Sequence, residues 1–222
     1  MPEASIRDFV DDAVDPNIRG FLHLPANSNG DGIVLTHGAG SNAQAPLLRA
    51  LADVFCGDGF AVLRCDLPFR QVRPFGPPGP GDAARDRTGL KNALAALKKL
   101  GPTRLFLGGH SYGGRQSSML CAEQPDLVNA LLLLSYPLHP PRKPEQQRTQ
   151  HLPDLRTPTL FVQGTRDPFG SIDEIERARK MIPGKTRLLR VEGAGHDLGF
   201  KGKSRRDELP QQILSEFREF LS

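Results

Sequence analysis

Six short, unbroken apolar runs recur along this 222-residue chain, near residues 33, 61, 105, 131, 160 and 188, with helical patterns between them. A strand covered by helices on both faces reads as a continuous apolar run, because neither face meets water. Apolar runs alternating with amphipathic helices predict a mostly parallel, twisted sheet of about six to seven strands with helices on both faces. The expected strands are Gly32–His37, Phe60–Cys65, Leu105–Gly108, Ala130–Leu134, Thr159–Gln163 and Arg187–Val191. Ile18–Leu24 is the candidate for an added antiparallel edge strand. Helical stripes run from about Ala45 to Cys56, Arg85 to Leu100, Ile172 to Met181 and Leu209 to Leu221, with Leu90, Leu94 and Leu97 on one face of the second. A further helix reaches Glu123 before Pro125. The Pro/Gly-rich stretch Pro68–Gly81 is expected to be irregular, and the polar Pro137–Leu155 stretch to be a loop or short cap.

Length fits one domain over residues 1–222 with one substantial core. No run of eighteen apolar residues exists, so no membrane span is expected. The start is acidic, with Asp8, Asp11, Asp12 and Asp15, and lacks the basic and apolar regions of a signal peptide. Cys56, Cys65 and Cys121 form no CxxC pair, which points to reduced thiols, a cytoplasmic protein, no disulfide frame and no metal site. The net charge of +4 is mild and its basic groups are scattered, at Lys98–Lys99, Arg142–Lys143 and Lys201–Arg206. Without a basic stripe interleaved with aromatics, nucleic-acid binding is not expected. Residue patterns carry no signal for the oligomeric state.

The strongest chemical signal is Gly109-His110-Ser111-Tyr112-Gly113, set between an apolar strand and a helix. A tight strand-to-helix turn leaves no room for side chains two residues either side of the serine, which explains both glycines. Such a turn lifts the hydroxyl above the carboxyl ends of the strands. A serine hydroxyl is a weak nucleophile and needs a positioned base. His196 follows the last expected strand in Glu192-Gly193-Ala194-Gly195-His196-Asp197, a loop with glycines on both sides of an alanine. Asp167, in Gly164-Thr165-Arg166-Asp167-Pro168, lies between the two in chain order and is held extended by Pro168. Ser111, Asp167 and His196 are therefore the candidate nucleophile, orienting acid and base.

Transition-state charge calls for two backbone N–H donors. The candidates are Tyr112, directly after the serine, and Ala39, in the His37-Gly38-Ala39-Gly40 turn after the first apolar strand. His37, Gly40, Arg70, Arg115 and His139 are candidate substrate contacts, and His151 shares the cap-like loop with His139. His23 is expected on a strand surface. Arg70, Arg73, Arg115, Arg142 and Lys143 at the mouth of the site would favour an anionic acyl group or thioester carrier; the plain alternative is a solvated surface.

These elements in this order resemble the α/β-hydrolase superfamily over nearly the whole chain. Gly109-His110-Ser111-Tyr112-Gly113-Gly114-Arg115, Leu134-Ser135-Tyr136-Pro137-Leu138-His139-Pro140 and Phe161-Val162-Gln163-Gly164-Thr165-Arg166-Asp167 are similar to a narrower group. That group is dienelactone-hydrolase-like and includes an animal testis-expressed hydrolase-like protein and a subunit of a nuclear acetyltransferase complex. The resemblance implies the α/β-hydrolase fold with a minimal cap. It also implies a cofactor-free serine hydrolase cleaving a small ester or thioester, in the manner of a carboxylesterase. Dienelactone hydrolases proper carry cysteine where Ser111 stands. The alternative is a non-catalytic interaction or scaffold module that kept the fold, since fold does not guarantee activity.

Overall fold

Eight strands form one sheet in the computed structural model, which describes residues 3–200 and 208–222. They are β1 (Ser5–Asp11), β2 (Ile18–Leu24), β3 (Asp31–Thr36), β4 (Ala61–Cys65), β5 (Arg104–His110), β6 (Ala130–Leu134), β7 (Thr159–Gly164) and β8 (Thr186–Val191). Their order across the sheet is β1-β2-β4-β3-β5-β6-β7-β8. From β4 to β8 every neighbouring pair is parallel, while β2 runs antiparallel to both β1 and β4. The sheet thus exceeds the expected six to seven strands, and Ile18–Leu24 is not its edge. The edge is β1, whose sequence SIRDFVD is exposed along most of its length. Its order comes from seven backbone register pairs with β2 and not from an apolar face, so it leaves no apolar run to read. Charged side chains on such an edge discourage pairing with other chains.

Helices α1 (Pro46–Gly57), α2 (Pro68–Val72), α3 (Asp82–Lys98), α4 (Tyr112–Glu123), α5 (Ile172–Arg179) and α6 (Glu208–Leu221) complete the architecture. Successive strand residues point to opposite faces, and the two cores divide accordingly. Val34, Leu63, Leu107, Leu131 and Leu133 pack beneath α3, α4 and α5. Ile33, Leu35, Val62, Phe106 and Leu132 pack against α1 and α6. On that second face Phe55, Phe60, Phe106 and Phe217 meet at ring-centroid distances of 5.1–5.9 Å.

Pro68–Gly81 is not wholly irregular, because α2 occupies its first five residues. Pro68 stands at the first helical position, where its fixed φ suits a helix and its missing N–H costs nothing. Pro137–Leu155 is a loop of turns and irregular backbone, apart from a 3-10 turn at Leu152–Asp154. His23 is buried and not on a strand surface, because β2 lies inside the sheet; its Nε2 accepts a hydrogen bond from Arg64 Nε at 2.8 Å. Among the described residues no helix is long and apolar enough to cross a membrane. The basic group Lys201–Arg206 lies outside the described residues.

Candidate active site

Ser111 sits between the end of β5 and the start of α4 with φ at +52°. A non-glycine residue in this region is strained and persists only where its surroundings hold it. They do so from both sides: Ser111 N–H donates to Leu134 O at 2.8 Å, and Gly113 N–H donates to His37 O at 3.1 Å. A Cβ at Gly109 would stand 2.5 Å from Gly114 N, and one at Gly113 would stand 2.5 Å from His37 O. Close backbone approach therefore explains the glycines on both sides of the serine.

The turn brings the Ser111 hydroxyl to 2.8 Å from His196 Nε2, which accepts its hydrogen bond. On the other side of the imidazole, Nδ1–H donates to Asp167, whose oxygens lie at 2.9 and 3.0 Å. The Asp167 side chain is fully buried. It accepts further bonds from Gln163 Nε2 at 3.0 Å and Phe169 N–H at 2.9 Å, which fix the carboxylate. The loops carrying Asp167 and His196 touch directly: a Cβ on Gly164 would meet Ala194 O at 2.4 Å. Phe169 stacks on the His196 ring at 4.1 Å. His110 Nε2–H donates to the His196 carbonyl at 2.8 Å, tethering the His196 loop to the Ser111 turn. Burial lowers the pKa of His110 to about 4, so its ring is neutral near pH 7.

Tyr112 and Ala39 line the same cavity as Ser111. Tyr112 N–H opens α4, where the first amides have no intrahelical acceptor. Tyr112 is anchored from its far end, since its hydroxyl donates to Asp86 Oδ2 at 2.8 Å. Asp86 is buried, also accepts from Phe69 N–H at 3.0 Å, and has its pKa raised by that burial. Ala39 lies in a turn closed by Ser41 N–H donating to Gly38 O at 3.0 Å.

The structure separates the expected substrate contacts. Arg115 and Gly40 line the Ser111 cavity, which has a volume of about 520 Å³. Arg70 does not reach it. Its guanidinium donates to the carbonyls of Ala39 (2.7 Å), Ser41 (2.8 Å), Gly76 (2.9 Å) and Arg73 (3.0 Å), so it braces the Ala39 turn from behind. His37 is buried and committed to the backbone, with Nδ1–H donating to Gly38 O at 2.8 Å and Nε2 accepting from Leu67 N–H at 3.1 Å. Its ring borders a second cavity of about 280 Å³, lined by Pro46, Leu47, Leu48 and Phe200. His139 is outside both cavities: its Nδ1–H donates to Pro140 O at 2.8 Å and its Nε2 faces Glu174 at 3.4 Å. His151 is likewise engaged elsewhere, with Ser118 Oγ 2.8 Å from its Nε2. Arg73 pairs with Asp82, while Arg142 and Lys143 are exposed and line neither cavity.

Residue patterns missed Arg148, Phe169 and Gln163. Phe169 and Gln163 were within reach, lying two residues after Asp167 and near the end of the strand before it. Arg148 lines the Ser111 cavity from inside a polar loop whose conformation no periodicity encodes. Among the described residues no group of three or more His, Cys, Asp or Glu side chains is placed to hold a metal ion.

A hydroxyl aligned on an imidazole, with the far N–H of that ring held by a buried carboxylate, can lose its proton as it attacks a carbonyl carbon. The comparisons with known proteins agree with a hydrolase. Residues 30–221 match the sequence model of a family described as an alpha/beta hydrolase domain. A 2-hydroxy-6-oxononadienedioate/2-hydroxy-6-oxononatrienedioate hydrolase from Pseudomonas sp is 28% identical over 137 residues, 60% of this chain and 46% of that protein. The match thus spans about half of that relative. Among solved structures, dienelactone hydrolase from Anabaena variabilis superposes with a TM-score of 0.76 at 23% identity, covering 99% of this chain and 100% of that one. An alpha-beta serine hydrolase homologue from Coxiella burnetii gives 0.72 at 19% identity, covering 95% and 96%. At these identities the two structures show a shared fold.

Proposed function

Because the chain belongs to the alpha/beta hydrolase family, we propose that it is a serine hydrolase cleaving a small ester or thioester through an acyl-serine intermediate, with residues 1–222 acting as one domain. The carrying observation is the unbroken run of hydrogen bonds from Ser111 through His196 to buried Asp167, starting from a serine held at φ +52°.

In this reading Ser111 Oγ bonds to the carbonyl carbon while its proton passes to His196 Nε2. The carbonyl electron pair moves onto oxygen, where the N–H groups of Ala39 and Tyr112 receive the charge. Collapse breaks the bond to the leaving group, which departs with the proton from Nε2. Water then attacks the acyl-serine and gives its proton to Nε2. The second collapse releases the carboxylic acid and returns that proton to Ser111 Oγ. Asp167 keeps the Nδ1–H tautomer and stabilises the imidazolium in both halves. His110 holds the base loop at the right distance without itself exchanging protons near neutral pH. The cavity of about 520 Å³ beside Ser111 supports a small substrate.

A fluorophosphonate probe tests the reading. The wild-type protein is expected to label and to hydrolyse p-nitrophenyl butyrate, and Ser111→Ala to do neither. A folded wild-type sample that neither labels nor hydrolyses overturns it.

A further inference from the structure

We infer that the substrate carries an anionic group, bound by Arg115 and Arg148 about one helical turn from the nucleophile, with its apolar remainder in the cavity lined by Leu47, Leu48 and Phe200. The inference rests on the hydrolase reading for its chemistry but on separate residues for its geometry.

Arg115 N–H donates to Ser111 O at 2.9 Å, which places Arg115 in the first turn of α4, and both residues line the same cavity. Arg148 approaches the same cavity from the loop after β6, held by one side-chain hydrogen bond to Pro137 O at 3.2 Å. No acidic residue lines this cavity, and among the described residues neither arginine pairs with a carboxylate. Arg115 Nε is buried without a hydrogen-bond partner. A guanidinium offers five donors, and leaving them unmet in a partly buried place is costly. Arg70 makes the contrast, because its donors are satisfied by four carbonyls a short distance away. The two arginines also act on each other: burial and then the Arg115 charge lower the pKa of Arg148. Two like charges in one concavity, without a counter-ion, are relieved by an entering anion. Planar, forked donors suit a carboxylate or phosphate.

The second cavity meets the first along Gly38, Gly40, Ser41 and His110. Ala45, Pro46, Leu47, Leu48 and Phe200 make its lining mostly apolar, with Asp197 as its acidic residue, and neither arginine lines it. A substrate with its scissile carbonyl at Ser111 would thus have arginines in the cavity beside it and an apolar lining in the adjoining one.

The anion can sit on the acyl or on the leaving side, and two matched pairs separate these. The first pair is p-nitrophenyl hydrogen glutarate and its neutral methyl ester. The second is 4-(butanoyloxy)benzoate and its methyl ester. The wild-type protein is expected to favour the charged member of one pair by roughly 10- to 100-fold in kcat/KM, mostly through KM, and less at high salt. Arg115→Gln and Arg148→Gln should each bring that ratio towards one, and Arg115→Lys should restore part of it. Thermal melts of each variant check folding; if Arg115→Gln fails to fold, Arg148→Gln carries the test. Calorimetric binding of monomethyl glutarate and of dimethyl glutarate to Ser111→Ala protein reads the anion site without turnover. Ratios near one in both pairs, unmoved by either arginine substitution, overturn the anion site and leave hydrolysis standing. If no ester is hydrolysed but the monoanion binds Ser111→Ala in an Arg115- or Arg148-dependent way, the hydrolase reading fails and the anion site stands.

Discussion

At the scale of single residues, the site depends on how few degrees of freedom its side chains retain. His196 has Phe169 stacked on its ring, Asp167 on Nδ1, Ser111 on Nε2 and His110 on its carbonyl. Asp167 in turn accepts from Gln163 and Phe169, which leaves it little room to rotate. Asp167→Asn keeps the volume but presents an amide that can donate to Nδ1, which favours the wrong imidazole tautomer. In the proposed mechanism this costs about 10⁴-fold in kcat with the fold intact. Steady-state kinetics beside a thermal melt check it; a loss smaller than tenfold would count against the assigned role.

Between elements, Arg70 couples α2 to the turn that presents Ala39. One guanidinium holds four carbonyls, two of them in the Gly38–Ser41 turn, and no shorter side chain spans that set. Arg70→Met is expected to loosen the turn and lower kcat by roughly 10²–10³-fold, the cost of losing one oxyanion donor. Arg70→Lys should recover little, because an ammonium cannot reproduce the planar fork. The rate of fluorophosphonate labelling, set against kcat and KM, is the readout. Unchanged labelling in Arg70→Met would exclude the bracing role. Arg70 looked like a substrate contact in the sequence because a basic residue in a Pro/Gly-rich loop carries no sign of where its guanidinium ends. The serine turn was readable for the opposite reason: strand, glycines, serine and helix are contiguous, and the steric demand on Gly109 and Gly113 comes from neighbouring backbone.

Across the whole molecule, buried and half-buried histidines link stability to pH. Burial lowers the pKa of His23, His110 and His151 from 6.5 to about 4, and that of His37 in the same direction. The native chain therefore keeps neutral rings where the unfolded chain takes up protons. Stability rises with pH wherever the unfolded state binds more protons. These groups thus destabilise progressively as pH falls from about 6.5 to about 4 and contribute no slope above about 7. Each adds up to about 1.4 kcal/mol per pH unit. Asp86, with a raised pKa, has the opposite sign over the lower part of that window. Urea midpoints at pH 7.5, 6.0 and 5.0 should drop with acidity; a flat series would refute the burial of these rings.

By itself the chain determined its sheet class, the strand–turn–helix around Ser111, and the chain order in which Asp167 and His196 follow it on loops. Apolar periodicity and turn sterics act over a few residues, and the loops that follow buried strands are marked by the strands themselves. The tertiary structure alone decided that Ser111 and His196, 85 positions apart, meet at 2.8 Å. It also decided that β1 completes the sheet through backbone pairing, and that His23 and His139 point away from the chemistry. Among the basic residues it sent Arg70 behind the Ala39 turn, Arg73 to Asp82, and Arg115 with Arg148 into the cavity. A long charged side chain chooses its partner from whatever the fold brings near, and that choice leaves no periodic trace in the sequence.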